Sequence, residues 1–373
     1  MPITPINLPS GRPPRFLVLA DTPALGMKTM TTQVLRGLNR RFPEAKIGVM
    51  TSQSGAGFYQ KSPFPLHIQK IPDEGPFCNK ALHYVAPVIR AGQYDAVIAL
   101  PFQEYYYYSL VCEEGIKFPF RIGSNKLLSA LMPGVQSDIP EDERFTHHVD
   151  APSSIVAPEE YMGKAMLRYL EPFGIYDQDP RPEAWSSSAD RDAVDSRFRD
   201  SGILPDDFLL TLNLCAHQGH NQWRMGTLAD VVRKINDRWG DHFLSNYGRL
   251  VFLVNYCAPD QALAFKRFQE ALKTLSGVKA PVVGMPNNSP GELSRIISRS
   301  SYVITPETGT AHVAQALDVP ATVVYQNNAV KRGWMLPGAR VMPVVSRTNA
   351  VYDVPSEEVF LGSILPILEW CKK

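Results

Sequence analysis

Along most of the 373-residue chain, short uninterrupted apolar runs take turns with longer stretches in which apolar residues return every three or four positions. RFLVLA at Arg15–Ala20 is a run of the first kind and predicts a strand. A turn, DTPALG, leads into MKTMTTQVLRGLNRRF, whose spacing is helical, and KIGVMTS returns to a strand. LHIQKI at Leu66–Ile71, a helix near Lys80–Arg90 and DAVIAL at Asp95–Leu100 continue the series. Apolar strands without polar alternation, each followed by a helix, predict a parallel sheet covered on both faces.

The alternation restarts at DFLLTLNL (Asp207–Leu214) and runs through a helix at Gly226–Asn236, RLVFLVN (Arg249–Asn255) and a helix at Asp260–Leu275. APVVGM (Ala280–Met285), a helix at Pro290–Ser300, SYVITP (Ser301–Pro306), a helix at Thr310–Leu317 and ATVVYQ (Ala321–Gln326) complete it. Between the two series, residues 176–202 are polar, charged and poor in aliphatics, the composition of a linker or surface excursion. SEEVFLGSILPILEWCKK predicts a final helix with Ser356 at its cap and a kink or break at Pro366. The expected organisation is a doubly wound domain over 1–180, a linker over 181–202, a second doubly wound domain over 203–350 and a C-terminal helix over 351–373 that packs back on the first domain. In such a pair the ligand site is expected in a central cleft between the facing domains, where strand ends and helix starts converge.

Composition narrows the classes. A formal net charge of +1 gives no global attraction to nucleic acid or to an anionic membrane. No window approaches the roughly 20 apolar residues of a membrane span, and the opening MPITPINLPSGRPPRF lacks the basic and apolar regions of a signal peptide. Five separated cysteines, Cys78, Cys112, Cys215, Cys257 and Cys371, form no CxxC pair and point to a reducing compartment. His147 and His148 have no metal-ligand neighbours at the right spacing, so no metal is expected.

The most informative stretch is SYVITPETGTAHVAQALDVPATVVYQ, a strand, a tight turn, a short helix and a strand. Gly309 allows close approach to the backbone, and the N–H groups opening the helix favour an anion together with its dipole. Thr308 and Thr310 add hydroxyls, His312 is placed to donate to a phosphate oxygen, and Glu307 to accept from a sugar or ribose hydroxyl. The plainer reading, threonine caps and a structural histidine, stays open on local chemistry alone.

The segment resembles the signature of glycosyltransferase family 9, the lipopolysaccharide heptosyltransferases: an acidic residue, Thr-Gly, two variable positions, His, then Ala and Pro six apart. Glu307, Thr308, Gly309, His312, Ala314 and Pro320 supply it. The opening LVLADTPALGMKTMTTQVLRGLNRRFPEAKIGVMTS, the middle YDAVIALP with RIGSNK, and NLCAHQGHNQWRMGTLADVVRKI resemble further family segments, so the likeness covers most of the chain. It implies an α/β protein of the GT-B type, with two Rossmann-like doubly wound domains facing a central cleft. It further implies an inverting, metal-independent and cofactor-free transfer of a sugar from ADP-heptose or a related nucleotide-activated donor. The acceptor would be a glycan or glycolipid, met in the cytoplasm with peripheral contact to the inner membrane, and nucleic acid is no partner.

Four positions depart from the family pattern. Met27 stands after Leu25-Gly26, where the family carries Asp as its proposed base; Asn221 aligns with a phosphate-contacting Lys; Glu307 replaces Asp; and Gln326 replaces a Gly. On the acceptor side, Gly26, Met27 and Lys28 therefore mark a position without its base. Asp21, at the end of the first strand, and Glu104, after DAVIALP, are the alternatives. Donor-side candidates are Glu307, Thr308, Gly309, Thr310 and His312, with His217, His220, Asn221 and Arg224 of the CAHQGHNQWR loop and Asn288; Lys331 and Arg332 are further cations. Tyr105–Tyr108 offer rings to an acceptor sugar or to the core. Besides an active transferase, a catalytically altered binding protein and a sugar-nucleotide 2-epimerase of the same architecture remain open.

Overall fold

The computed structural model describes residues 5–22, 24–71, 80–101, 103–124, 144–150, 159–176, 178–214, 221–239, 248–257 and 261–370. The chain divides into two compact units, Met1–Glu183 and Ala184–Lys373.

In the first unit the described elements are β1 (Arg15–Leu19), α1 (Leu25–Arg41), β2 (Lys46–Ser52), α2 (Gln53–Tyr59), β3 (His67–Ile71), α3 (Lys80–Gly92), β4 (Ala96–Ala99), α4 (Glu104–Tyr108), β5 (Phe120–Gly123), β6 (His147–His148) and α5 (Met162–Leu167). The strands form one parallel sheet in the order β3-β2-β1-β4-β5-β6. Phe16–Leu19 of β1 are fully buried, as an apolar strand lying centrally in a sheet covered on both faces must be. RIG of RIGSNK forms part of β5. Helix α1 is buried along Gly26–Leu38. Its Arg36 donates to the Glu183 carboxylate and to the carbonyls of Asp179 and Arg181, fastening the end of the unit to the helix.

The second unit contains α6 (Ser188–Asp200), β7 (Phe208–Asn213), α7 (Met225–Trp239), β8 (Leu250–Cys257), α8 (Ala262–Lys273), β9 (Val282–Asn287), α9 (Pro290–Arg299), β10 (Tyr302–Pro306), α10 (Gly309–Ala316), β11 (Ala321–Tyr325), α11 (Asn328–Trp334), β12 (Val341–Val345) and α12 (Ser356–Trp370). Its parallel sheet is ordered β12-β11-β10-β7-β8-β9. Counted from the first strand of each unit, both sheets read third, second, first, fourth, fifth, sixth. The reversal of direction, where doubly wound sheets open a crevice, falls between β1 and β4 in one unit and between β7 and β10 in the other.

Residues 188–200, expected within a linker, are instead helix α6. Ser187 and Asp190 close a reciprocal capping box at its start, and Val194 and Phe198 pack with Leu209, Val251 and Ile296. Asp195 receives two bonds from Arg295 of α9, at 2.9 and 2.7 Å. Helix α12 continues past Pro366 and lies on α7, β11 and β12. Ser356 is its first residue and donates to Asp230 at 2.6 Å. A hydroxyl chain secures its middle: Tyr302 and Ser363 both meet Thr322 at 2.9 Å, and Thr322 donates to the Gly362 carbonyl at 3.0 Å. A Cβ on Gly362 would lie 2.7 Å from Val344, so glycine sets this close approach. Among the described residues no helix is long and apolar enough to cross a membrane.

Candidate functional site

At the β7/β10 crevice, strand β10 ends at Pro306 and the chain turns through Glu307 and Thr308 into α10. Thr308 holds the extended backbone of an N-cap residue, yet its side chain caps no helix N–H. Among the described residues the amides opening α10 at Gly309 and Thr310 thus have no side-chain acceptor, the arrangement that suits an anionic ligand. One turn on, His312 is 2% exposed, and its Nε2 lies 3.0 Å from Glu307 Oε1. Because a carboxylate only accepts, the ring donates from Nε2. Its Nδ1 has no partner among the described residues. Trp334 of α11 packs edge-on against the imidazole with centroids 5.4 Å apart.

Beneath this turn runs a ladder of buried amides drawn from three strands. Asn287 donates to Asn255 Oδ1 at 2.9 Å, Asn255 to Asn213 Oδ1 at 3.4 Å, and Asn213 to the hydroxyls of Thr305 and Thr308 at 3.2 Å each. The polarity is fixed at one end, where Asn287 also donates to the Tyr256 carbonyl at 3.1 Å. Each asparagine lies at or near the C-terminal end of a strand, and all three are buried. Buried amides so linked meet their hydrogen-bonding needs without charge. The signal available in the sequence is an Asn near the close of each of three apolar runs.

Two of the departures from the family pattern meet each other. Gln326 donates to Asn221 Oδ1 at 2.5 Å, and Asn221 donates to the Glu307 carbonyl at 3.2 Å, so together they brace the turn from the side. Arg224 is placed elsewhere: it pairs with Asp353 at 3.0 Å and lies over Tyr352. Asn288 is exposed and bonds Glu292 at the start of α9, Lys331 is partly buried, and Arg332 is exposed. His217 and His220 lie outside the described residues.

At the β1/β4 crevice, Asp21 is partly buried. Its Oδ1 accepts from the Ser52 N–H at 2.7 Å, its Oδ2 from the Tyr106 hydroxyl at 2.6 Å, and its own N–H donates to Gln103 at 2.9 Å. Glu104 is fully buried. Burial first, and the Glu104 charge second, push the Tyr169 hydroxyl well above its ordinary pKa. Gly26, Met27 and Lys28 form the first turn of α1 and are buried, Met27 to 3% exposure and Lys28 to 4%. Tyr106 and Tyr107 are buried and Tyr105 and Tyr108 partly so; the run packs with the first unit's core while the Tyr106 hydroxyl reaches Asp21.

No protein-family model and no curated protein sequence matches the chain. Solved structures do. A family 9 glycosyltransferase from Veillonella parvula superposes with a TM-score of 0.76 at 17% identity, over 97% of this chain and 100% of that one. The E. coli ADP-heptose lipopolysaccharide heptosyltransferase II gives 0.65 at 16% identity, over 95% and 99%. A UDP-GlcNAc 2-epimerase from Methanocaldococcus jannaschii gives 0.52 at 13%, over 96% and 93%. With two Rossmann-like units of six parallel strands each and this likeness along nearly its whole length, the chain has the GT-B fold.

Proposed function

We propose that the protein is a glycosyltransferase that moves a sugar from a nucleotide-activated donor, ADP-heptose or a relative, to a glycan or glycolipid acceptor in the cytoplasm. The observation that carries this reading is the start of α10, which pairs amides without a side-chain cap with the part-buried Glu307–His312 pair at the switch point of the second sheet. In the proposed reaction the Gly309 and Thr310 amides, with the helix dipole, receive the diphosphate as its bond to the anomeric carbon breaks and negative charge gathers on the leaving oxygen. Glu307 accepts from a donor hydroxyl. Asp21 takes the proton of the acceptor hydroxyl as that oxygen bonds to the anomeric carbon from the opposite face. Asp21 suits this task better than Glu104, since it is only partly enclosed and is held in place by two donors. The proposal needs no metal.

Thermal-shift measurements against ADP-, UDP-, GDP- and dTDP-sugars test it, because a ligand at about 100 times its Kd stabilises by about 2.7 kcal/mol. Stabilisation by one nucleotide class is expected, and no response to any of them would refute the reading. The burial of Met27 and the Asn221–Gln326 bond favour one second reading, a binding protein without transfer activity. That protein would bind the nucleotide sugar and turn none over with any acceptor.

A further inference from the structure

Five helices of the described structure begin after a Ser, Thr or Asn in an extended conformation. Ser52, Ser187, Ser289 and Asn327 each accept a hydrogen bond from an N–H of the first turn that follows. Thr308 has the same backbone and the same kind of side chain, and it accepts none. The reason lies behind it. Asn213 Nδ2 donates to the Thr308 hydroxyl at 3.2 Å, and that hydroxyl directs its proton back to the Pro306 carbonyl at 3.3 Å. The amide cannot turn over to present its oxygen, because its Oδ1 receives Asn255, which in turn receives Asn287, and Asn287 is held by the Tyr256 carbonyl.

We infer that Asn213, held by the amide ladder, is a positioning residue that keeps Thr308 from capping α10 and so leaves the Gly309 and Thr310 amides for the diphosphate of the ligand. This inference rests on the proposed nucleotide site and adds the device that keeps it open. Without Asn213, the Thr308 hydroxyl swings to the Thr310 N–H, the Ala311 N–H being already bonded to the Thr308 carbonyl at 3.0 Å. The helix then satisfies that donor itself, and an incoming phosphate has to displace an internal bond.

A double-mutant cycle with ADP as the probe, read by calorimetry, tests the coupling. Asn213→Ala is expected to weaken ADP binding roughly ten-fold, the size of one hydrogen bond to a charged group. Valine at 308 has no hydroxyl to cap with, so in a Thr308→Val background the same Asn213→Ala change is expected to cost less than about two-fold. An equal loss in both backgrounds would mean that Asn213 merely supports the sheet, and would overturn the inference. Asn213→Val, which suits a strand, repeats the measurement should the alanine variant fold poorly.

Amide hydrogen exchange without any ligand gives an independent answer. The Thr310 amide should exchange more slowly in Asn213→Ala than in the unaltered protein, and unchanged exchange there overturns the inference. If the unaltered protein binds no nucleotide while exchange slows as expected, the nucleotide reading fails and the control of the cap by Asn213 stands.

Discussion

The two units share one strand order and differ in what they place at its reversal. In the first, the chain leaving β1 carries a carboxylate, Asp21, gripped by a phenol and a backbone N–H, and the chain leaving β4 carries a buried glutamate and a run of tyrosines. In the second, β7 ends in an amide that belongs to a ladder of amides, and β10 leads to a glycine-started helix with a histidine–carboxylate pair. The scaffold fixes where a ligand can sit, and the residues after the first and fourth strands decide what chemistry it meets. In the proposed reaction one crevice supplies the proton acceptor and the other receives the anion.

The contrast extends to titration. In the first unit burial raises Tyr59, Tyr94, Tyr107, Tyr161 and Tyr169, and with them the Cys112 thiol, above the ordinary values. In the second unit burial raises Tyr302 in the same way, but three aspartates are lowered. Asp195 is held down chiefly by the bond from Arg295. For Asp207 and Asp230 burial acts upward, but Arg249 and the Leu204 N–H outweigh it at the first, and Ser356, Arg233 and Lys234 bring the second to about 2.

The division of labour breaks most visibly through the proposed base. Asp21→Asn should lower sugar transfer by about 10²- to 10⁴-fold while leaving nucleotide affinity within a factor of about two. A variant that transfers at the original rate, or that loses affinity instead, would place the base elsewhere, and Glu104→Gln measured alongside shows whether it is there. Next in size, Leu17→Ala in β1 and Leu212→Ala in β7 each delete a fully buried side chain and should cost about 2–5 kcal/mol. Hydrogen exchange should show lost protection within the altered unit; loss spread evenly over both would show that they unfold together. His312→Ala should weaken ADP binding roughly ten-fold with little change in the rate of bound donor, and the reverse pattern would move His312 from binding to chemistry.

The smallest effect is the pH response. Asp230 titrates at about 2 in the folded protein against an ordinary 3.8, so it contributes stability above the ordinary value that is lost as pH falls from there towards 2. The tyrosines of the first unit have folded values above their ordinary 10.0, so their contribution is intact below that pH and is lost above it. Melting followed by unit-specific probes should therefore show the second unit failing first in acid and the first unit failing first in base. Asp230→Asn should flatten the acid arm, and an unchanged slope would remove Asp230 from the account.

How much of this is legible in the sequence depends on whether the relevant residues are neighbours in it. The turn at Glu307–His312 is contiguous, so a linear reading finds the glycine, the hydroxyls and the histidine together. The central strands, apolar without interruption, are equally plain. Helix α6 escapes because Val194 and Phe198 are its buried apolar positions in an otherwise charged segment, and β12 because it is only partly buried. The amide ladder escapes for another reason. Its members are 42 and 32 residues apart and meet only through strand order, a tertiary fact. The mutual bond of Asn221 and Gln326, 105 residues apart, is hidden in the same way, although each stands out by itself.

The hydroxyl chain from Tyr302 through Thr322 to Ser363 has a consequence for the order of events on the ribosome. The first sheet has all its described strands once residue 148 has been made, and Arg36 can close on Glu183 soon after, so this half can settle while synthesis continues. The second sheet leaves Thr322 and the face of β11 uncovered until Gly362 and Ser363 emerge. The face of β11 and β12 that α12 covers stays open until that helix is translated, an interval in which a chaperone has apolar surface to hold.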